Sequence, residues 1–217
     1  MSKKSIKILM YPILTSVLIL FIALNLSRYI AVSSTLKLFL SIIFTNLALL
    51  TPILFKKSRG IFLDGLMNIK KLNFKLIPQT LFYYICFNII TFAVVLIAEK
   101  IQIFTNIFQQ QVGVIDVLSQ YNGPLILLFL FIGILGPMIE ELYFRNFLQQ
   151  NLKKFFNTGF SLIIQAIIFG LLHGEIQSLG FVVIWGIFLG IIRERENIYY
   201  SISLHALVNT ISFYILF

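Results

Sequence analysis

Six polar residues within apolar segments are the candidates for chemistry in this chain. They lie in the stretches EELYFR, FGLLH and HALVN, and they are Glu140, Glu141, Arg145, His173, His205 and Asn209. An ionisable side chain at the centre of a membrane helix costs about 2.5–3.5 kcal/mol on insertion scales, so such residues indicate a functional site. The two histidines are the only ones in the chain, and both fall in apolar segments.

Helical spacing assigns different roles to the two neighbouring glutamates. Glu141 and Arg145 are four residues apart, share one helix face and stand in the favourable order for an ion pair. Glu140 is rotated by about 100° from Glu141, so we expect it to point elsewhere and to remain free for chemistry. The alternative is that both glutamates only solvate the inner end of their helix.

The other two stretches repeat the same spacing. His205 and Asn209 are predicted to aim at one point in the bundle interior, while Phe169, four residues before His173, is expected to form a packing wall. A glutamate near a histidine can hold and deprotonate a water molecule. A second histidine with an amide can stabilise an oxyanion. Together these groups predict hydrolysis of an amide by activated water, without a serine or cysteine nucleophile.

The composition indicates that these residues sit in a membrane protein. The chain of 217 residues is 59% hydrophobic and 12% charged, whereas a soluble domain has about 25% charged residues. The single cysteine, Cys86, excludes an internal disulfide framework and is interpreted as a small core residue. The net charge of +9 is explained by membrane topology, so no nucleic-acid partner is predicted.

An all-α polytopic transmembrane bundle of about seven spans must position the site. A span needs about 20 mostly apolar residues, and a further interfacial helix is predicted within 99–123. We interpret 1–217 as a single transmembrane domain with a catalytic core over 124–217. The predicted spans are 7–26, 36–55, 77–98, 124–148, 159–178, 179–193 and 198–217.

The basic residues orient this bundle with a cytoplasmic N-terminus. All Lys and Arg except Arg28, Lys37 and Lys100 then fall on the inner side, as the positive-inside rule requires. The basic loop 56–75 is expected to lie along the anionic inner surface, although a topology signal alone would also explain it. This topology places Glu140 and His173 at depths that differ by roughly 10 Å, so their partnership requires helix tilt or a fifth span that starts nearer residue 163.

The three motifs EExxxR, FxxxH and HxxxN, in this order on separate predicted helices, resemble the CPBP family of intramembrane proteases. This family is also called the Abi or type II CAAX prenyl endopeptidase family. The resemblance extends from near Pro124 to the end of the chain. It implies that Glu140 is the general base acting with His173, that His205 and Asn209 stabilise the oxyanion, and that Glu141 and Arg145 support the site.

The resemblance also raises the question of a metal. Glu140, His173 and His205 would supply the three protein ligands of a catalytic zinc site, yet the chain lacks an HExxH helix. We therefore expect no required cofactor and metal-independent glutamate chemistry, with a divalent metal such as zinc left as the alternative. The implied setting is the cell membrane, crossed several times, with a membrane-associated peptide or protein as substrate.

Two other functions compete with proteolysis. The short chain, rich in Ile, Lys and Phe, resembles bacterial members of the family that are linked to bacteriocin self-immunity and peptide maturation, so a peptide-binding protein without hydrolysis is one alternative. A proton-coupled transporter is the other, because buried Glu and His can relay protons. The lack of an internal repeat argues against the transporter.

Overall fold

Over the residues that the computed structural model describes, the chain is a bundle of helices without a strand. These residues are 3–29, 34–64, 66, 74–101, 121, 123–173 and 179–216. They form eight helices: α1 Lys3–Tyr29, α2 Ser34–Leu49, α3 Lys56–Phe62, α4 Leu76–Ile101, α5 Leu125–Leu152, α6 Thr158–Leu172, α7 Leu179–Arg195 and α8 Ile198–Leu216.

The all-α prediction is confirmed, and each of the seven predicted segments coincides with a helix. Within the described part of the chain, two stretches are long and apolar enough to cross a membrane, Leu76–Ile97 in α4 and Leu125–Leu152 in α5. Helix α6 has 15 residues, which is about 22 Å and shorter than the bilayer core of about 30 Å. The number of spans and the cytoplasmic N-terminus therefore stay predictions.

Two helices end earlier in the chain than predicted. Helix α2 ends at Leu49 rather than at 55, because Pro52 enters a 3₁₀ turn, Thr51–Leu54. Proline lacks the N–H that would continue the helix and disfavours helical geometry in the residue before it. Helix α6 ends at Leu172 rather than at 178. The predicted interfacial helix within 99–123 falls mainly on residues outside the described ranges.

The outer surface of α4 is apolar. Phe82, Ile85, Ile89 and Phe92 are each 57–66% exposed, and a contiguous exposed patch of large apolar side chains is typical of a surface that contacts lipid or another protein. The second half of α5 is the reverse, because every residue from Leu142 to Leu148 is buried. Helix α5 is thus the central element, and it carries EELYFR.

Helix α3, which was not predicted as a helix, is fixed against α5 by polar contacts. The side-chain amide of Asn146 donates to the backbone carbonyls of Phe62 and Asp64. The Ser58 hydroxyl donates to the Ile8 carbonyl at 2.9 Å. Through these contacts α3 joins α1 to the second half of the central helix α5.

Candidate active site

Helix α5 contains two wider π-helical turns, one on each side of the glutamate pair. They span Leu130–Leu135 and Leu142–Leu148. In the first turn the Gly136 N–H donates to the Phe131 carbonyl, five residues earlier. A Cβ on Gly136 would lie 2.7 Å from that carbonyl oxygen, so only glycine fits there without distortion. Turns of this kind occur frequently at functional sites.

Pro137 follows this turn and leaves one carbonyl without a backbone donor. In the π register, the Ile132 carbonyl would accept from residue 137, but proline has no N–H. The Asn209 side chain of α8 supplies the missing donor, since its Nδ2 lies 3.0 Å from the Ile132 oxygen. Asn209 therefore fastens α8 to the interrupted part of α5 and keeps its second amide hydrogen for another acceptor.

Glu141 is wholly buried and has two partners. Its Oε2 lies 3.2 Å from Arg145 Nε and its Oε1 lies 2.9 Å from His205 Nδ1. The arginine contact is an ion pair whose angle falls outside hydrogen-bond geometry. Because a carboxylate only accepts hydrogen bonds, the contact assigns a proton to Nδ1 of His205. Glu141 thus fixes both the orientation and the tautomer of that imidazole.

Glu140 approaches the same imidazole from its other nitrogen. Its Oε2 lies 3.8 Å from His205 Nε2, beyond hydrogen-bond distance. This oxygen is buried and has no hydrogen-bond partner among the described residues. Glu140 was expected to point elsewhere than Glu141; the two carboxylates approach the same ring from different sides, and only Glu141 is hydrogen-bonded to it. The two ring nitrogens lie on different edges of the imidazole, so neighbouring residues on one helix reach it from two sides.

Phe169 lies at the centre of the site, as a fully buried ring against three polar side chains. The Arg145 guanidinium lies 4.4 Å from its centroid, the His173 ring 4.4 Å and the His205 ring 6.1 Å. A cation over an aromatic face is stabilised by about 0.5–2 kcal/mol. With the Glu141 ion pair, this contact allows an arginine that is 0% exposed to remain charged.

No direct ion pair or hydrogen bond joins Glu140 and His173 in the structure, so their predicted joint action on a water molecule stays a prediction. His173 caps the end of α6, and its Nδ1 lies 2.8 Å from the Phe169 carbonyl oxygen. Since a carbonyl only accepts, Nδ1 carries the proton and Nε2 is available. Glu140 contacts His205 instead, because the long and central α5 passes α8 directly at this level. Whether His173 takes part in catalysis stays a prediction.

The described residues do not form a metal site. No group of three or more His, Cys, Asp or Glu side chains in this part of the chain is arranged to hold a metal ion. The suggested ligand set of Glu140, His173 and His205 includes one contact, between Glu140 and His205 at 3.8 Å. Glu141 accepts from Nδ1 of that histidine, which leaves Nε2 as the nitrogen that could bind a metal. Among the described residues, the three suggested ligands are therefore not gathered as a zinc site requires.

Sequence reasoning missed three neighbours of the site. Trp185 of α7 packs edge-on against the His205 ring at 5.8 Å, and Gln149 and Gln165 lie fully buried beside Arg145's helix face. Trp185 is the only tryptophan in the chain. Gln165 interrupts the apolar run SLIIQAIIF, so the argument that selected the histidines would have found it, whereas Gln149 lies in the polar stretch QQN and carried no such signal.

Comparison with known proteins gives one match. Residues 122–211 match the profile of the family described as type II CAAX prenyl endopeptidase Rce1-like. This range contains all three motifs and the whole of the site described above. Neither a curated protein nor a solved structure matches the chain.

Proposed function

We propose that this protein is an intramembrane endopeptidase, because residues 122–211 match the Rce1-like family of type II CAAX prenyl endopeptidases, a family of proteases. It hydrolyses a peptide bond of a membrane-associated peptide or protein. It acts in the cell membrane, which the chain crosses several times with its N-terminus in the cytoplasm. Two helices long and apolar enough to span a bilayer support this location.

The state of Glu140 carries the proposal. Its neighbour Glu141 is engaged by Arg145 and His205, whereas Glu140 Oε2 is buried without a hydrogen-bond partner and lies 3.8 Å from the free nitrogen of His205. A water molecule beside these two atoms would donate one hydrogen to each. A general base must lie within hydrogen-bond reach of the proton that it removes, and Glu140 meets this requirement.

The reaction proceeds by attack of that water on the scissile carbonyl carbon. Glu140 Oε2 removes one proton from water as the new C–O bond forms and the carbonyl oxygen becomes an oxyanion, and this proton then passes to the neighbouring His205 Nε2. Collapse of the tetrahedral intermediate breaks the C–N bond, and the same pair returns the proton to the leaving nitrogen. Protons and atoms balance with water as the only co-reactant.

The remaining residues stabilise charge and hold the reacting groups. Once His205 is protonated on both nitrogens, its Nε2–H donates to the oxyanion together with the second amide hydrogen of Asn209. Oxyanion donors typically contribute about 3–4 kcal/mol to the transition state. Glu141 and Arg145 keep His205 in place, and His173, with Nε2 available, acts with Glu140 on the water as the family resemblance implies.

Cleavage of a peptide by the purified protein tests this proposal. We expect the wild type in detergent to cut members of a library of membrane-embedded peptides, with and without a prenyl group, and Glu140→Gln to lose activity at unchanged folding. Glu196→Gln is the matched control, because Glu196 accepts a surface hydrogen bond from Tyr83 and lies outside the site. Products are identified by mass spectrometry.

Equal turnover by wild type and Glu140→Gln would remove Glu140 from catalysis. If instead both proteins bind peptides without cutting, and if both protect cells challenged with a toxic peptide, the protein acts by binding, as in bacteriocin immunity. Protection that is lost in Glu140→Gln supports hydrolysis.

A further inference from the structure

A line of polar side chains continues from the glutamates along α5 to the end of the helix. It consists of Glu141, Arg145, Gln149 and Lys153, each four residues after the last. In a regular α-helix, a residue twelve positions on is rotated by about 120° from the first. The wider turn over Leu142–Leu148 rotates less per residue, so the line stays directed at α7. We call these four residues the polar stripe.

Arg145 of the polar stripe and Gln165 of α6 donate to the same backbone carbonyl of α7. The Gly186 carbonyl accepts from Gln165 Nε2 at 2.9 Å and from Arg145 Nη2 at 3.5 Å. A Cβ on Gly186 would lie 3.0 Å from that of Ala166, so small residues bring α6 and α7 into direct contact. Arg145 and Gln165 are thereby held side by side, away from the lipid-facing surfaces.

The C-terminal half of the polar stripe, Gln149 and Lys153, extends to the solvent. Gln149 Nε2 donates to the Gly190 carbonyl at 3.4 Å and to Glu194 Oε1 at 2.9 Å. Lys153 Nζ lies 2.6 Å from Glu194 Oε2, and these two side chains are 29% and 21% exposed. The polar stripe thus joins a fully buried carboxylate to an ion pair at the protein surface.

Three polar atoms along this path have no hydrogen-bond partner among the residues that the structure describes. Arg145 Nη1, Gln149 Oε1 and Gln165 Oε1 are buried and make no hydrogen bond, and all three side chains are 0% exposed. Both amide hydrogens of Gln149 and one of Gln165 are engaged, but each side-chain oxygen still needs a donor. A buried polar atom without a partner costs about 1–3 kcal/mol. Three such atoms on one path would therefore cost several times more than a single unpaired atom.

We propose that Arg145, Gln149 and Gln165 bind a chain of ordered water molecules that connects Glu140 and Glu141 with the solvent beside Lys153 and Glu194. Water supplies a donor to each glutamine oxygen and an acceptor to Nη1, which removes the unpaired groups. Buried water typically makes about three hydrogen bonds to polar groups of this kind. No apolar ligand meets these requirements.

The water chain has a consequence for hydrolysis, and only this consequence rests on the proposed function. Each turnover consumes one water molecule in a region enclosed by apolar helices. A polar path through the protein replaces that molecule from the aqueous side without passing through lipid. Replacement of the two glutamines is then expected to lower kcat while KM for the peptide is unchanged, because Gln149 and Gln165 are fully buried and offer no surface to a peptide.

Radiolytic hydroxyl-radical labelling tests the presence of water without any activity measurement. Radicals form from bound water and oxidise adjacent side chains. Phe169 packs on Arg145 and is 0% exposed. We nevertheless expect it to be oxidised at a measurable fraction of the rate that it shows in the unfolded chain. Leu128 is also 0% exposed but lies in a separate apolar cluster, and it should be protected. Phe160, 60% exposed, gives the upper limit.

The variant Gln149→Leu/Gln165→Leu should lose the labelling of Phe169. Asn151→Leu is the control, since Asn151 is buried on the same helix but donates to the Phe147 carbonyl of that helix. Gln165→Leu alone provides the result if the double variant does not fold. Protection of Phe169 in the wild type, or labelling that persists in the glutamine variants, overturns the proposal. If the wild type is labelled at Phe169 but cuts no peptide, the water chain is supported and the proposed protease function is refuted.

Discussion

Replacing Asn209 tests whether it repairs the carbonyl that Pro137 leaves without a donor. In Asn209→Ala the Ile132 oxygen loses the amide that lies 3.0 Å away. In Pro137→Ala the backbone regains an N–H at position 137. Whether α5 then keeps its π-turn or relaxes to a regular α-helix, Ile132 has a backbone donor in either register. Asn209 should therefore matter less in that background.

The expected coupling follows from the cost of an unpaired buried carbonyl. Asn209→Ala in the wild type should lower the free energy of unfolding by about 1–3 kcal/mol. The same substitution in Pro137→Ala should cost less by about 1 kcal/mol or more, within the usual range of coupling for residues in contact. Unfolding by SDS in mixed micelles, followed by circular dichroism, measures all four proteins of the cycle.

Asn88 provides the matched control, because its amide donates to the Tyr84 carbonyl within α4 at an exposed position. Asn88→Ala should show no coupling to Pro137→Ala. Additive effects of Asn209→Ala and Pro137→Ala, to within about 0.5 kcal/mol, would refute the reasoning. Asn209 would then act on something other than the Ile132 carbonyl.

Three further outcomes are expected. Arg145→Met leaves Glu141 as an unpaired buried charge, so it should destabilise by about 3–5 kcal/mol, and adding Glu141→Gln should recover part of the loss in the same unfolding assay. Gly190→Ala places a Cβ 2.6 Å from the Leu162 side chain and should lower the free energy of unfolding by about 1–3 kcal/mol. Gly60→Ala is the control, because a Cβ there has nothing within 4 Å and should not destabilise the protein. Equal effects of the two substitutions would contradict the packing argument. Burial raises the pKa of Glu194, but hydrogen bonds from Lys153 and Gln150 and the charges of Lys153 and Arg193 outweigh it and lower the pKa from 4.5. Its stabilisation is therefore present above pH 4.5 and lost as the pH falls below it, so the Tm difference between wild type and Glu194→Gln should shrink on acidification.

The sequence predicted the parts of the site that depend on spacing within one helix. The Glu141–Arg145 ion pair follows from residues four apart on one face, and the structure contains it at 3.2 Å. The roles of the glutamates, histidines and Asn209 in catalysis stay predictions. Relations between helices were less accessible, because the spacing along a chain carries no information about which neighbour a helix face meets. The contact of both glutamates with His205 was not predicted for this reason.

By itself, the sequence determined that the protein is a bundle of apolar helices with a few polar residues in their interior. Burial of apolar side chains decides this, and it depends on composition and periodicity alone. Only the tertiary structure decided that both glutamates meet the same imidazole, because two helices distant in sequence must pack before His205 lies beside Glu140 and Glu141. It also decided that Asn209 completes an interrupted helix, since a carbonyl left without a backbone donor acquires its partner only when α8 is in place.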